Sequence, residues 1–226
     1  MNTRVAVTRA APENARTAAR LQQRGAIALL APLLDIAHRP FDDDLSGAQA
    51  LLFTSSNGVH AYTRQSQARS LPVFAVGDAT AAAARALGFA QVRSADGEVA
   101  ALAALVTAEL KPQNGKLIHI AGAHLAGDLS GLLGQAGFTL KRCVAYEAKP
   151  VTRLPEAFLA PIDTVLFHSA RAAEVFLQLG APGSDKMSAA CLSSAVADAA
   201  RKAVWARLIV ASAPREDALL TAALGR

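Results

Sequence analysis

The sequence has little cysteine, few aromatic residues and no concentrated charge, and each shortage closes off a class of protein. Cys143 and Cys191 are its two cysteines. They lie far apart and outside any CxxC, which argues against a disulfide framework or a zinc site and for two ordinary thiols in a reducing cytoplasm. Aromatic residues make up 5% of the chain against 52% hydrophobic residues, so the core must be built from Ala, Leu and Val, as in an α/β protein. No apolar run approaches the length that spans a bilayer. The opening "MNTRVAVTRAAPENARTAA" lacks the apolar stretch of a secretory signal. The expectation is a cytoplasmic chain with no membrane partner. Lys plus Arg number 23 against 18 for Asp plus Glu, giving +5. With no Lys/Arg run and no interleaved aromatics, a nucleic-acid partner is not expected. A small polyanion suits the balance, and so does the simpler reading that the charge keeps the chain dissolved. There is no GxGxxG and no Walker lysine motif. Nor is there a Ser/His/Asp set, a pair of carboxylates at helical spacing or a metal-ligand cluster.

What the chain does have is alternation. Short apolar runs, "VAVT" (5–8), "ALLFT" (50–54), "VFAV" (73–76), "QVRS" (91–94) and "LIHIA" (117–121), each precede an Ala-rich segment of helical period. Those segments fall near 12–24, 57–68, 79–88, 98–110 and 125–136. "TVLFH" (164–168), "AACL" (189–192) and "RLIVA" (207–211) repeat the arrangement. Strand, polar turn, helix, strand predicts parallel sheets with crossover helices. Apolar runs without alternation predict strands covered on both faces.

The pattern occurs twice. "LLFTSSNGVHAY" at 51 resembles "VLFHSARAAEVF" at 165, and "AVGDATAAAARALGFAQV" at 75 resembles "ACLSSAVADAARKAVWARL" at 190, offsets of 114 and 115. "RVAVTRA" at 4 aligns with "KLIHIAG" at 116, an offset of 112. Near-equal offsets indicate an internal duplication. Two stretches, 36–47 and 142–149, are Pro-flanked and less periodic and read as extended connectors. The predicted fold is α/β with two lobes, each a parallel sheet flanked by helices, joined by these connectors. One lobe comprises 1–35 and 150–226, the other 48–141. Ligands in such sheets sit outside the carboxyl ends of the strands, so two lobes would offer a cleft.

The stretch "LLFTSSNGVHAY" (51–62) ends an apolar run in Thr54, Ser55, Ser56, Asn57 and Gly58. Ser, Thr and Asn cap helices by accepting from free N–H groups. Those same N–H groups, with the helix dipole, attract carboxylates and phosphates. Both roles together are expected here.

Taken in order, "VAVTRA", "FTSSNGV", "VGDATAAAARALGF", "VAYEAKP", "VLFHSARAAEVF" and "VASAPREDALLTAAL" resemble the uroporphyrinogen-III synthase family over essentially the whole chain. The pair "FTSSNGV" and "VGDATA" is the specific part. The resemblance implies a two-lobed enzyme that converts hydroxymethylbilane, a linear tetrapyrrole, to uroporphyrinogen III. Water is lost, the terminal ring is inverted through a spiro intermediate, and the macrocycle closes. It implies no cofactor and no metal, a polycarboxylate tetrapyrrole as partner, and a monomer. The missing catalytic motifs then make sense, because this substrate closes spontaneously to the wrong isomer. The protein has chiefly to position it, which supplies roughly 7–11 kcal/mol in favourable cases.

The resemblance also places residues. Tyr146 matches the family's connector tyrosine, a general acid toward the leaving hydroxyl or an anchor of the hinge. Thr80 matches a helix-start threonine, a carboxylate contact or a plain cap. Gly58 and Gly77 would let backbone N–H groups approach the ligand. By the duplication Ser169 is the counterpart of Ser55, and Arg171 stands where Asn57 does. Arg9, after the first strand, matches an arginine in many relatives, and either guanidinium suits a propionate. The chain departs from the family at "LSSAVA" (192–197), where Ala195 replaces the threonine and Ser193 and Ser194 are the substitutes. It departs also at Ala126, where many relatives carry arginine, with His124 nearby. A non-catalytic two-lobed relative that binds small anions or tetrapyrroles is the alternative. A nucleotide-binding or phosphate-signalling α/β protein ranks last.

Overall fold

Strands that are apolar on both sides need cover on both sides, and the computed structural model of the chain provides it. The structure describes residues 2–125 and 127–225. The chain begins with β1 (Arg4–Val7), α1 (Glu13–Gln23), β2 (Ile27–Leu30) and β3 (Leu34–His38). It continues through β4 (Ala48–Phe53), α2 (Ser56–Gln65), β5 (Val73–Ala75), α3 (Asp78–Ala86), β6 (Val92–Ser94) and α4 (Val99–Glu109). Then come β7 (Lys116–Gly122), α5 (Leu129–Gln135) and β8 (Leu140–Pro150). The last part holds β9 (Thr164–Phe167), α6 (Ala170–Gln178), β10 (Ser188–Cys191), α7 (Ser194–Ala200), β11 (Arg207–Val210) and α8 (Glu216–Leu224). These elements form two units, one of residues 1–35 and 149–226, the other of residues 36–148.

The first unit carries a five-stranded sheet in the order β11-β10-β9-β1-β2, all parallel. Val5 and Val7 point into one apolar cluster with Leu21, Leu219 and Leu220, while Ala6 joins Phe167, Phe176 and Val165 on the opposite face. The second unit carries six strands in the order β3-β8-β7-β4-β5-β6. Leu51 and Phe53 pack with Tyr62 and Phe89 on one face, and Ala50 and Leu52 with Phe74, Leu102 and Leu133 on the other. The period-two side-chain alternation of a strand is thus apolar on both sides.

The duplication is written into the pairing. Arg4 pairs with Ile27 and Leu117 with Leu140, at the same spacing along the chain; Val73 pairs with Val92 and Ser188 with Arg207, again at equal spacing. On this correspondence β1 and β2 match β7 and β8, and β9, β10 and β11 match β4, β5 and β6. The two sheet orders then coincide, with β3 as an extra edge in the second unit.

Three strands differ from the sequence expectation. β2 has no counterpart among the expected strands. Residues 142–149, which read as a connector, form the body of β8, and β3 occupies the start of the stretch 36–47. The backbone N–H of Arg39 donates to Ala145 and that of Val151 to Leu33, so β3 and β8 satisfy each other's main-chain groups while running in opposite directions. The two passages of the chain between units fall inside these strands, which keeps them extended.

Candidate active site

In both sheets the strand order reverses beside a central strand, at β4/β7 in the second unit and at β9/β1 in the first. Crevices at the carboxyl side of such reversals are the usual ligand sites of doubly wound sheets. Arg9, the residues from Thr54 to Gly58, Ser169 and Arg171 follow the strands at these two reversals, whereas Gly77 and Thr80 follow β5 and Ser193 and Ser194 follow β10.

In the second unit β4 ends at Phe53, and Thr54 and Ser55 lead into α2. Ser55 has an extended backbone and its side chain accepts from the Asn57 N–H at 3.2 Å, so it caps α2. Ser56 and Asn57 open the helix. Gly58 carries a packing constraint of its own. A Cβ there would stand 2.7 Å from the Ile120 carbonyl oxygen, so the glycine lets α2 close onto β7. Gly77, the cap position of α3, has open space where a side chain would be, and Thr80 is buried in that helix's first turn.

Tyr146 lies on β8, inside the sheet, with Gly122 of β7 as its register partner. Its ring covers Gly122, and the Ser55 side chain neighbours the phenol as a hydrogen-bonding group. Burial pushes the phenol above its ordinary pKa, and Ser55 opposes that by favouring the phenolate. The group is a neutral proton donor at physiological pH.

Beneath these residues is one that sequence reasoning passed over. His119, in the middle of β7, is buried, and its Nε2 lies 3.1 Å from Thr54 Oγ1. Burial, then the nearby Arg142 charge, pulls its pKa down to about 4, so the ring is neutral. Arg142 itself donates to the carbonyls of Gly122 and Ala123 at 2.8 and 3.0 Å, fixing the end of β7. The signal was present in "LIHIA": a histidine among apolar strand residues needs a polar neighbour. That neighbour comes from 65 positions away, beyond the reach of local pattern.

The first unit fills the equivalent place with its own charges. Arg9 Nη1 lies 3.3 Å from Glu216 Oε2 and Nη2 4.0 Å from Glu13. Thr17 Oγ1 donates to Glu216 at 2.6 Å, and His168 Nε2 lies 3.0 Å from the same carboxylate. Burial alone would raise Glu216, but hydrogen bonds from His168 and Thr17 and the Arg9 charge outweigh it and hold the group at about 2. Burial lowers His168, so the neutral ring donates through Nε2–H. Its Nδ1 is buried without a partner among the described residues, and a proton there would be an orphan donor. Arg9 is therefore engaged within the protein. Ser169 caps α6 by accepting from Ala172 N–H at 3.2 Å. Arg171, in the first turn of α6, has no ion-pair partner among the described residues. Ser193 stands at the cap position of α7 without making a side-chain cap bond, and Ser194 is exposed. Ala126 lies outside the described residues.

Among the described residues no group of three His, Cys, Asp or Glu side chains is arranged to hold a metal, and no helix is long and apolar enough to cross a membrane. A family model described as uroporphyrinogen-III synthase HemD matches residues 15–221. Among solved structures, uroporphyrinogen-III synthetase from Helicobacter pylori 26695 aligns with a TM-score of 0.69 at 20% identity, over 100% of this chain and 99% of that one. A mutant uroporphyrinogen III synthase from Thermus thermophilus aligns with a TM-score of 0.56 at 18% identity, over 97% of this chain and 96% of that one. At such identities these likenesses show the fold. No curated protein matches.

Proposed function

The chain belongs to the uroporphyrinogen-III synthase family, and on that premise we propose how its residues divide the work. The reaction cyclises hydroxymethylbilane to uroporphyrinogen III, with loss of water and inversion of the terminal pyrrole ring. Tyr146 acts as the general acid. Its phenol gives a proton to the departing hydroxyl, which leaves as water, and the pyrrole's electron pair stabilises the carbon left behind. Ser55, by favouring the phenolate, steadies the oxygen as the proton leaves. The observation that carries this reading is the buried phenol lodged beside Ser55 at the β4/β7 reversal.

The substrate's acetates and propionates are taken by groups at helix starts. Thr54, Ser55, Ser56 and Asn57 do this at α2, Gly77 and Thr80 at α3, Ser169 and Arg171 at α6, and Ser193 and Ser194 at α7. Arg171, unpaired among the described residues, is the better placed guanidinium, while Arg9 shares its charge with Glu216 and Glu13. Backbone N–H groups at a helix start suit carboxylates, and the +5 charge favours a polyanion. The reading includes a cytoplasmic monomer that needs no cofactor, metal or nucleic acid.

The test is the isomer formed. Chelator-treated protein mixed with freshly generated hydroxymethylbilane should yield the type III product. Type I alone would identify a relative that binds tetrapyrroles or small anions without catalysis.

A further inference from the structure

Gly122 closes β7, and a Cβ built there would lie 2.9 Å from Cε2 and Cζ of Tyr146 and 3.1 Å from its Oη. Its φ is not in the left-handed region, so the backbone itself accepts any residue. What excludes a side chain is the ring, and the ring atoms nearest the gap are those at its hydroxyl end. Neighbouring strands lie about 4.8 Å apart. A side chain rooted on β8 reaches the residue after β4 only by crossing β7, and residue 122 stands in that path. In the first unit the corresponding positions, at the offset of 112, are Ala10 and Leu34, with no ring to seat.

The geometry points to Gly122 as a positioning residue: the space left by its missing side chain is the seat of the Tyr146 phenol and sets where the hydroxyl stands beside Ser55. The consequence for rate rests on the acid role proposed for Tyr146; the seat itself does not.

Three variants test it: Gly122→Ala, Tyr146→Phe and the double variant. Phenylalanine keeps Cε2 and Cζ, the two closest atoms, and loses only the 3.1 Å contact with Oη, so the methyl group added by Gly122→Ala meets nearly the same conflict in both backgrounds and thermal stability should fall by similar amounts. The rates should not behave equally. Misplacing a reacting group by about an ångström can cost up to about 100-fold, so Gly122→Ala should slow type III formation by about tenfold or more in the parent. In Tyr146→Phe it should change the rate by less than about twofold. Equal rate losses in both backgrounds would overturn the proposal. A second readout needs no substrate. The chain has two tyrosines, Tyr62 and Tyr146, so subtracting the tyrosinate absorbance titration of Tyr146→Phe isolates one phenol. Gly122→Ala should lift the ring from its buried seat and move that titration down, toward the ordinary tyrosine value. An unmoved titration overturns the seat whatever the rates do. If Tyr146→Phe is as fast as the parent, the acid role falls, and a moved titration still upholds Gly122's hold on the ring.

Discussion

Around the ends of β4 and β7 and on β8 the second unit places Thr54, Ser55, Gly122 and Tyr146; at the equivalent positions, by the offsets of 114 and 112, the first unit places His168, Ser169, Ala10 and Leu34. Topology, pairing and helix order are shared. Of the four positions only the serine is common, and in both copies it caps the following helix. The first unit fills this place with an ionic cluster, in which Glu216 draws His168, Thr17 and Arg9 together. The second carries a buried neutral phenol there, with a bare glycine beneath it. A duplicated fold supplies two equivalent places, and on the roles proposed above their side chains divide structure from chemistry.

If that division is right, removing Glu216 is chiefly a stability lesion. Glu216→Ala leaves Arg9 and His168 partly buried without their carboxylate, and breaking such a pair costs about 3–5 kcal/mol. Chemical denaturation should show a loss of that order. A loss below about 1 kcal/mol would mean the cluster is not structural and would reopen it as a reaction site.

The next effect in size is acid sensitivity, and it belongs to both units. His119 is neutral in the fold with a pKa of about 4, whereas the unfolded chain takes up its proton near 6.5. The stability it allows is fully present above 6.5 and is lost as pH falls toward 4, by roughly 3 kcal/mol at the lower end. His168 is also lowered by burial and adds in the same sense. Glu216, held at about 2, adds a further loss below 4.5. In His119→Gln the slope of stability between pH 6.5 and 4 should become shallower. An unchanged slope would put the acid sensitivity elsewhere.

Gly58→Ala should act through packing alone. The new methyl meets the Ile120 carbonyl oxygen, a backbone atom, at 2.7 Å, and overpacking of this kind typically costs about 1–3 kcal/mol. The melting temperature should drop while turnover per folded molecule holds. Lost turnover with an unchanged melting temperature would return Gly58 to the ligand contacts.

Much of this architecture is legible without any coordinates. The apolar runs at 50–54, 117–121 and 164–168 read correctly because strands covered on both faces do not alternate, and the repeated spacing exposes the copy. β2 escapes because Ile27–Leu30 is half exposed at a sheet edge, between Gly25 and Pro32. β8 reads as a linker because the prolines around it mask a run that pairs with β7 along most of its length. At the site, Tyr146 comes from the resemblance, and Ser55 with the other helix-start residues from local chemistry. His119, Glu216 and Gly122 do not emerge, since each acquires its meaning from a partner far away in sequence: Thr54, His168 and Tyr146.

The comparison between the two crevices rests finally on the phenol. Tyr146→Phe removes one oxygen and keeps the ring over Gly122, so the fold should hardly notice. The deciding measurement is the initial rate of uroporphyrinogen III formation by this variant, taken with its melting temperature. The account predicts a fall of about tenfold, at or below the low end of general acid catalysis because water can replace part of the donor, with a melting temperature within about 2 °C of the parent. An unchanged rate, or a rate that falls only in step with lost stability, would contradict it.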